Sequence, residues 1–291
     1  MENQILDTDS GPVEYAVEGT GNSILYFHGT GAANELVFPF EQPLLDSGFQ
    51  LVVPNRPGYY GTPLLDRRSA SACAKLANQL LDGLAIDKVA VIGTSGGGPP
   101  ASRFATEFPD RTACLVLQCA QAHRWDNTKW LPKGMGWSLP LFHIRLLRPF
   151  MRVYNRVVCT WRRRRAKHFV QAYQDAELDM DELENAQQLI PMLLEASEQC
   201  SRKPAGIEND WNIYLGDNWI EPGAIRCPTL VIHDPSDLVV PFAHAEWALR
   251  TIDNAEFCSV GAGHLIWIGR DAVRMHDQRI TFLRQHFAQS D

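Results

Sequence analysis

Residues Gly93-Thr94-Ser95-Gly96-Gly97 form a Gly-x-Ser-x-Gly pentapeptide directly after the β-branched apolar run Val89-Ala90-Val91-Ile92. A strand that breaks sharply into a helix lifts the central serine out of its sheet and into a cleft. The backbone at such a turn is strained, so its neighbours must lack bulky Cβ groups, a need that Gly93 and Gly97 meet. The motif predicts Ser95 as a nucleophile. It predicts the Gly96 N–H as a donor to the oxygen that becomes negative on attack. A chance match in a chain of 291 residues is expected about 0.1 times. A phosphate loop would continue as Gly-x4-Gly-Lys-Ser/Thr, and this chain does not.

A serine hydroxyl is a poor nucleophile at neutral pH. It needs a base, and the base needs a carboxylate to hold its tautomer and stabilise the imidazolium. Among nine histidines, His264 ends the loop Gly261-Ala262-Gly263-His264, after the strand-like Ala255–Val260. Serine first and histidine near the C-terminus make His264 the expected base. The strand-like Thr229–His233 runs into Asp234-Pro235-Ser236-Asp237. Asp237 is the expected acid and Asp234 its competitor; an aspartate in such a turn more commonly caps the following helix. A second oxyanion donor is expected after an early strand, in Ile24-Leu25-Tyr26-Phe27-His28-Gly29-Thr30-Gly31. The Thr30 N–H is the candidate, with its hydroxyl as an additional donor. His28 comes too early in the chain for the base and is expected to brace this turn.

These loops need a scaffold. Val13–Val17, Ser23–Phe27, Phe49–Val53, Val89–Ile92, Ala113–Cys119, Thr229–His233 and Ala255–Val260 read as strands. Helix-like stretches such as Ala70–Leu84 and Ala101–Phe108 separate them. Apolar runs without strict alternation suit strands buried on both faces. The alternation predicts an α/β fold, with a mostly parallel central sheet flanked by helices. Ligands in such sheets bind beyond the carboxyl ends of the strands, where Ser95 falls.

The alternation fails over residues 121–222, which read as an inserted helical lid carrying six of the eight tryptophans. Residues 1–120 and 223–291 then form the core domain. The insertion is polarised. Arg124 to Lys167 holds twelve Lys/Arg against one acid, and His168 to Glu221 holds twelve Asp/Glu against two bases. The opposite charges nearly cancel, so the basic stretch Arg145–Lys167 is read as facing the acidic half or water, in preference to anionic lipid or a phosphorylated substrate.

Composition narrows the class. Hydrophobic residues make up 45% and charged residues 21%, as in ordinary globular chains. The net charge of −7 argues against nucleic-acid binding. Met1–Gly11 has neither a basic nor an apolar leader region, so no signal peptide is expected. No apolar run is long enough to span a membrane. The seven cysteines are scattered without a Cys-x-x-Cys, which predicts reduced thiols, a cytoplasmic setting and no metal site.

Together the motifs resemble the α/β-hydrolase family. His28-Gly29 is similar to its oxyanion loop, and Arg56-Pro57-Gly58-Tyr59-Tyr60-Gly61 to its Arg-Pro-Gly-x-Gly loop with one extra residue. Gly93–Gly97 matches its nucleophile elbow, Asp237-Leu238-Val239-Val240-Pro241 its acid loop, and Gly263-His264 its histidine loop. Asp234 departs from the family pattern, in which glycine is common. Relatives with an aspartate nucleophile, the haloalkane dehalogenases and epoxide hydrolases, are set aside by Ser95. The resemblance implies a serine hydrolase acting on a carboxylic ester or related acyl substrate through an acyl-enzyme, with no metal or organic cofactor. The aromatic lid implies a partly apolar, small to medium substrate. Two alternatives remain on the same scaffold: a ligand receptor, and a cofactor-free lyase or C–C bond hydrolase.

Overall fold

The computed structural model describes residues 3–125, 189, 191–192, 195, 204–216, 219, 223–253, 255–261, 263–268 and 271–288. Most of the expected lid, including Arg145–Lys167, lies outside the described residues. The described strands are β1 Gln4–Thr8, β2 Gly11–Gly19, β3 Ser23–Phe27, β4 Gln50–Pro54, β5 Val89–Thr94, β6 Thr112–Gln118, β7 Thr229–His233 and β8 Glu256–Ser259. They form one sheet in the order β1-β2-β4-β3-β5-β6-β7-β8. β1 and β2 pair antiparallel, as do β2 and β4. From β4 to β8 every pairing is parallel. This is the expected α/β architecture.

β1 is the one strand absent from the sequence expectation. It is an edge strand whose Ile5 stays exposed while Leu6 packs on the core. With one face in water, it needs little apolar sequence to form.

The seven described helices are α1 Asn34–Phe40, α2 Gln42–Asp46, α3 Ala70–Gly83, α4 Gly98–Glu107, α5 Ala205–Leu215, α6 Ala243–Thr251 and α7 Ala272–Ala288. The Ser69 side chain caps α3 by accepting from the Ala72 N–H at 3.1 Å. Helices cover both faces of the sheet, and the period of two in the strands assigns each side chain to a face. Leu25, Phe27, Val91, Leu115 and Val231 pack with Leu76, Leu80, Phe104 and Ala248 of α3, α4 and α6. Ile24, Ile92, Val116, Leu230 and Ile232 pack with Val37 and Leu44 of α1 and α2, and with Met275 and Leu283 of α7. Each such aliphatic or aromatic side chain contributes about 1.5–3 kcal/mol by leaving water. Every residue of β5 and β6 is buried, which is why they read as unbroken apolar runs. Among the described residues no helix is long and apolar enough to cross a membrane.

The register brings the strand ends level. Phe27 pairs with Gly93, Thr94 with Gln118, and His233 with Ser259. The loops after β3, β4, β5, β7 and β8 therefore open on one edge of the sheet.

Candidate active site

Ser95 stands between β5 and α4 with φ +51°, a left-handed conformation that a side-chain-bearing residue adopts only when its surroundings impose it. The close approach is severe at Gly97, where a Cβ would lie 2.0 Å from the Phe27 carbonyl oxygen. The Ser95 carbonyl accepts the Gln121 N–H at 3.0 Å, tying the elbow to the chain leaving β6.

The three residues expected to act together lie in one line. Ser95 Oγ is 3.1 Å from His264 Nε2, and His264 Nδ1 is 2.7 Å from Asp237 Oδ2. Asp237 Oδ1 accepts the N–H groups of Val239 at 2.7 Å and Val240 at 3.0 Å, so its own loop orients it. Burial is the largest influence on His264 and disfavours its imidazolium, but the Asp237 carboxylate, with a smaller contribution from Cys119, overcomes it and holds the pKa well above the usual histidine value. Burial likewise opposes the Asp237 carboxylate, while His264 and the loop N–H groups overcome it and lower its pKa. His233 lies 3.5 Å from Asp237, but burial lowers its pKa, and its Nε2–H donates to the Val240 carbonyl at 2.9 Å. It therefore braces the acid loop as a neutral ring.

Asp234 does not reach His264. Its Oδ1 accepts from the Ser236 N–H at 2.7 Å and the Ser236 hydroxyl at 2.8 Å, and its Oδ2 accepts from the Gly263 N–H. The residue that departs from the family pattern thus ties the acid loop to the histidine loop, one residue before His264.

The loop after β3 borders the elbow. A Cβ at Gly29 would sit 3.3 Å from the Ser95 Cβ, and one at Gly96 would sit 3.1 Å from the Thr30 nitrogen. The two expected oxyanion donors therefore adjoin across Ser95. The Thr30 hydroxyl, expected as an additional donor, instead donates to Asp210 of α5 at 2.7 Å. His28 braces the turn as expected: its Nδ1–H donates to the Gly29 carbonyl at 2.9 Å, and its Nε2 accepts the Arg56 N–H at 3.1 Å. Burial and then Arg56 push its pKa well down, so the ring is neutral with the proton on Nδ1.

A buried polar cluster supports the elbow from the strand side. The Arg279 guanidinium meets the Glu41 carboxylate at 2.6 Å with both side chains wholly buried. Tyr26 and Trp267 also donate to Glu41, at 2.8 Å and 3.1 Å. Thr94, the residue before Ser95, bonds to the Tyr26 hydroxyl at 2.6 Å.

Asp210 and Tyr214 of α5 were not singled out from sequence. Asp210 was counted only among the acids of the insertion's second half. The available signal was Gly206, Asp210 and Tyr214 at spacings of four, which places them on one helix face.

Eight strands in this order, a serine elbow after β5, and a histidine and an acid after β8 and β7 define an α/β hydrolase. Residues 22–138 match the family described as the alpha/beta hydrolase fold, and the chain has the α/β-hydrolase fold. It is 28% identical over 289 residues to the uncharacterized hydrolase YcgS of Bacillus subtilis (strain 168), spanning 96% of this chain and 98% of that protein. It is also 28% identical to a poly(3-hydroxyalkanoate) depolymerase of Ectopseudomonas oleovorans, over 85% of this chain and 79% of that one. An alpha/beta hydrolase fold protein from Nakamurella multipartita superposes with a TM-score of 0.71 at 25% identity, covering 97% of this chain and 99% of its own.

Proposed function

We propose that this hydrolase cleaves a carboxylic ester or related acyl substrate through Ser95, His264 and Asp237. The observation that carries the reading is the unbroken contact line from Ser95 Oγ to His264 Nε2, 3.1 Å, and from His264 Nδ1 to Asp237 Oδ2, 2.7 Å. His264 takes the Ser95 proton as Oγ attacks the carbonyl carbon. The N–H groups of Thr30 and Gly96 stabilise the oxyanion. The tetrahedral adduct collapses, His264 protonates the leaving alcohol, and an acyl-enzyme remains. A water then attacks the acyl carbon, giving up its proton to His264; the second tetrahedral adduct collapses, the acyl–Oγ bond breaks, and His264 returns that proton to Ser95 Oγ as the acid leaves. Asp237 keeps the Nδ1–H tautomer throughout and stabilises the imidazolium.

The pKa directions fit this division of labour, since a carboxylate that stays ionised is what raises the affinity of the imidazole for a proton. The similarity to a polyester depolymerase supports an ester as the bond cleaved. The tryptophans of the insertion support a partly apolar, small to medium substrate, with the core domain at 1–120 and 223–291 supplying the chemistry. Hydrolysis of p-nitrophenyl esters from acetate to decanoate tests the reading. Turnover by the wild type that vanishes in Ser95→Ala supports it, and the optimal chain length measures the pocket. Equal rates for the two proteins would overturn it. Absence of turnover in both would remove the general esterase and favour C–C bond hydrolysis or ligand reception on the same scaffold.

A further inference from the structure

One buried carboxylate gathers the loop that holds Thr30. Asp210 lies on α5, on the far side of the insertion in sequence, with its side chain 3% exposed. Its Oδ1 accepts from Arg56 Nη1 at 2.6 Å, and its Oδ2 from Arg56 Nη2 at 2.8 Å. The same Oδ2 accepts the hydroxyls of Tyr59 and Thr30, each at 2.7 Å. Tyr59 Oη in turn accepts the Gly31 N–H at 3.3 Å. The carboxylate thus holds Thr30 directly and Gly31 through one tyrosine. Thr30 also bonds to the Tyr214 hydroxyl. Because the threonine proton goes to Asp210, the tyrosine supplies the proton of that second bond.

Two further contacts hold α5, one to the core and one to the chain that leaves it. The Gly206 N–H donates to the Gly58 carbonyl at 3.1 Å, and a Cβ at Gly206 would meet the Tyr59 ring at 2.4 Å. At the other end of the helix the Tyr214 carbonyl accepts the Trp125 N–H at 2.9 Å. Gly206, Asp210 and Tyr214 recur every four residues, so a single face of α5 makes all these contacts. Thr30 is flanked by Gly29 and Gly31, whose backbones resist little, so its position has to be imposed from outside the loop. The buried Arg56 guanidinium supplies the charge that makes an ionised Asp210 tolerable there.

We infer that Asp210 is a positioning residue for the oxyanion hole, so that the hole is complete only while α5 is docked on the Arg56–Tyr59 loop. This rests on the Ser95 reading proposed above. Substrate contacts on the insertion side of the chain would then bear on the rate of chemistry as well as on affinity.

Asp210→Asn removes the charge while keeping the shape, and Thr30→Val removes only the hydroxyl that Asp210 grips. For each variant the measurements are kcat and KM on p-nitrophenyl acetate, inhibition by phenylboronic acid, and the rate at which a fluorophosphonate labels Ser95. A displacement of the Thr30 N–H by about 1 Å lowers kcat about 100-fold. KM should stay close to that of the wild type. Phenylboronic acid, which binds as a tetrahedral serine adduct, should weaken in step with kcat/KM. The double variant should be no worse than the weaker single one, because both break the same contact. Asn212→Ala, on the exposed side of α5, should leave all three readouts unchanged. If Asp210→Asn does not fold, Thr30→Val carries the test alone. Wild-type kcat and boronate affinity in Thr30→Val, or a loss confined to KM, would overturn the inference. A wild type that neither turns over ester nor labels at Ser95 overturns the triad reading and this inference with it. Equally fast labelling of wild type and variants overturns the inference alone.

Discussion

Gly96→Ala is the smallest change that separates the oxyanion hole from the rest of the site. The new Cβ would lie 2.0 Å from the Tyr214 hydroxyl oxygen and 2.2 Å from Thr30 Oγ1, about 1 Å closer than non-bonded carbon and oxygen tolerate. Neither oxygen yields easily. Tyr214 and Thr30 bond to each other, and Thr30 is also held by the buried Asp210. The strain therefore parts Gly96 from Thr30, the two residues whose N–H groups are proposed to share the oxyanion. A displacement of about 1 Å costs roughly 100-fold, and complete loss of one donor costs about 100- to 1000-fold in kcat, or about 3–4 kcal/mol. Steady-state hydrolysis of p-nitrophenyl acetate, with thermal unfolding alongside, measures the effect. The expected outcome is a kcat lowered by about two to three orders of magnitude in a protein that still unfolds cooperatively. A Gly96→Ala enzyme with near-wild-type kcat would refute the placement of the hole between these two residues.

Other perturbations report on other parts. With the His264 pKa held well above its ordinary value by Asp237, kcat/KM should rise with pH along a limb displaced above the usual histidine range. Asp237→Asn should move that limb to lower pH and reduce kcat by about 10⁴; an unmoved limb would mean that Asp237 does not set the titration. Asp234→Ala strips the acceptor from the N–H groups of Ser236 and Gly263. Ser236 is exposed and its N–H can turn to water, but Gly263 is buried, and an unsatisfied buried group costs about 1–3 kcal/mol, so stability and kcat should both fall in urea titration and ester assay, well short of the Asp237→Asn loss. Glu41→Ala leaves the wholly buried Arg279 uncompensated and should cost about 3–5 kcal/mol in equilibrium urea unfolding. In the wild type, burial opposes the Glu41 carboxylate but Arg279 prevails and lowers its pKa. Its contribution is therefore present above the usual glutamate range and disappears as pH falls through the lowered folded value.

The parts of the site that can be read from sequence share one property: each is local. The elbow around Ser95, the glycines before His264 and the acidic turn at Asp234–Asp237 all follow recognisable strands; β5 and β7 are apolar because both faces of the sheet are covered there, while β8 lies at the edge with only Cys258 buried. The sequence favours Asp237 over Asp234, but the tie that Asp234 makes to Ser236 and Gly263 cannot be read there, since it depends on the direction in which a carboxylate points. β1 escaped because an edge strand can be polar. The Asp210 cluster escaped for a different reason. Arg56 and Asp210 are separated by 154 residues, and only folding brings that acid of the insertion onto the loops of the core. Glu41 and Arg279 were equally illegible, because residue types that are normally exposed give no sign that a matching charge awaits them inside.

A covalent step at Ser95 leaves an acyl group that can be trapped. Rapid acid quenching of the enzyme during turnover of a p-nitrophenyl ester, followed by mass analysis of its peptides, reads the adduct itself. An added acyl mass on the peptide containing Ser95 is expected, formed with a burst of p-nitrophenol and absent in Ser95→Ala. Turnover with no acyl mass at Ser95, or with the mass on another residue, would contradict a covalent step there.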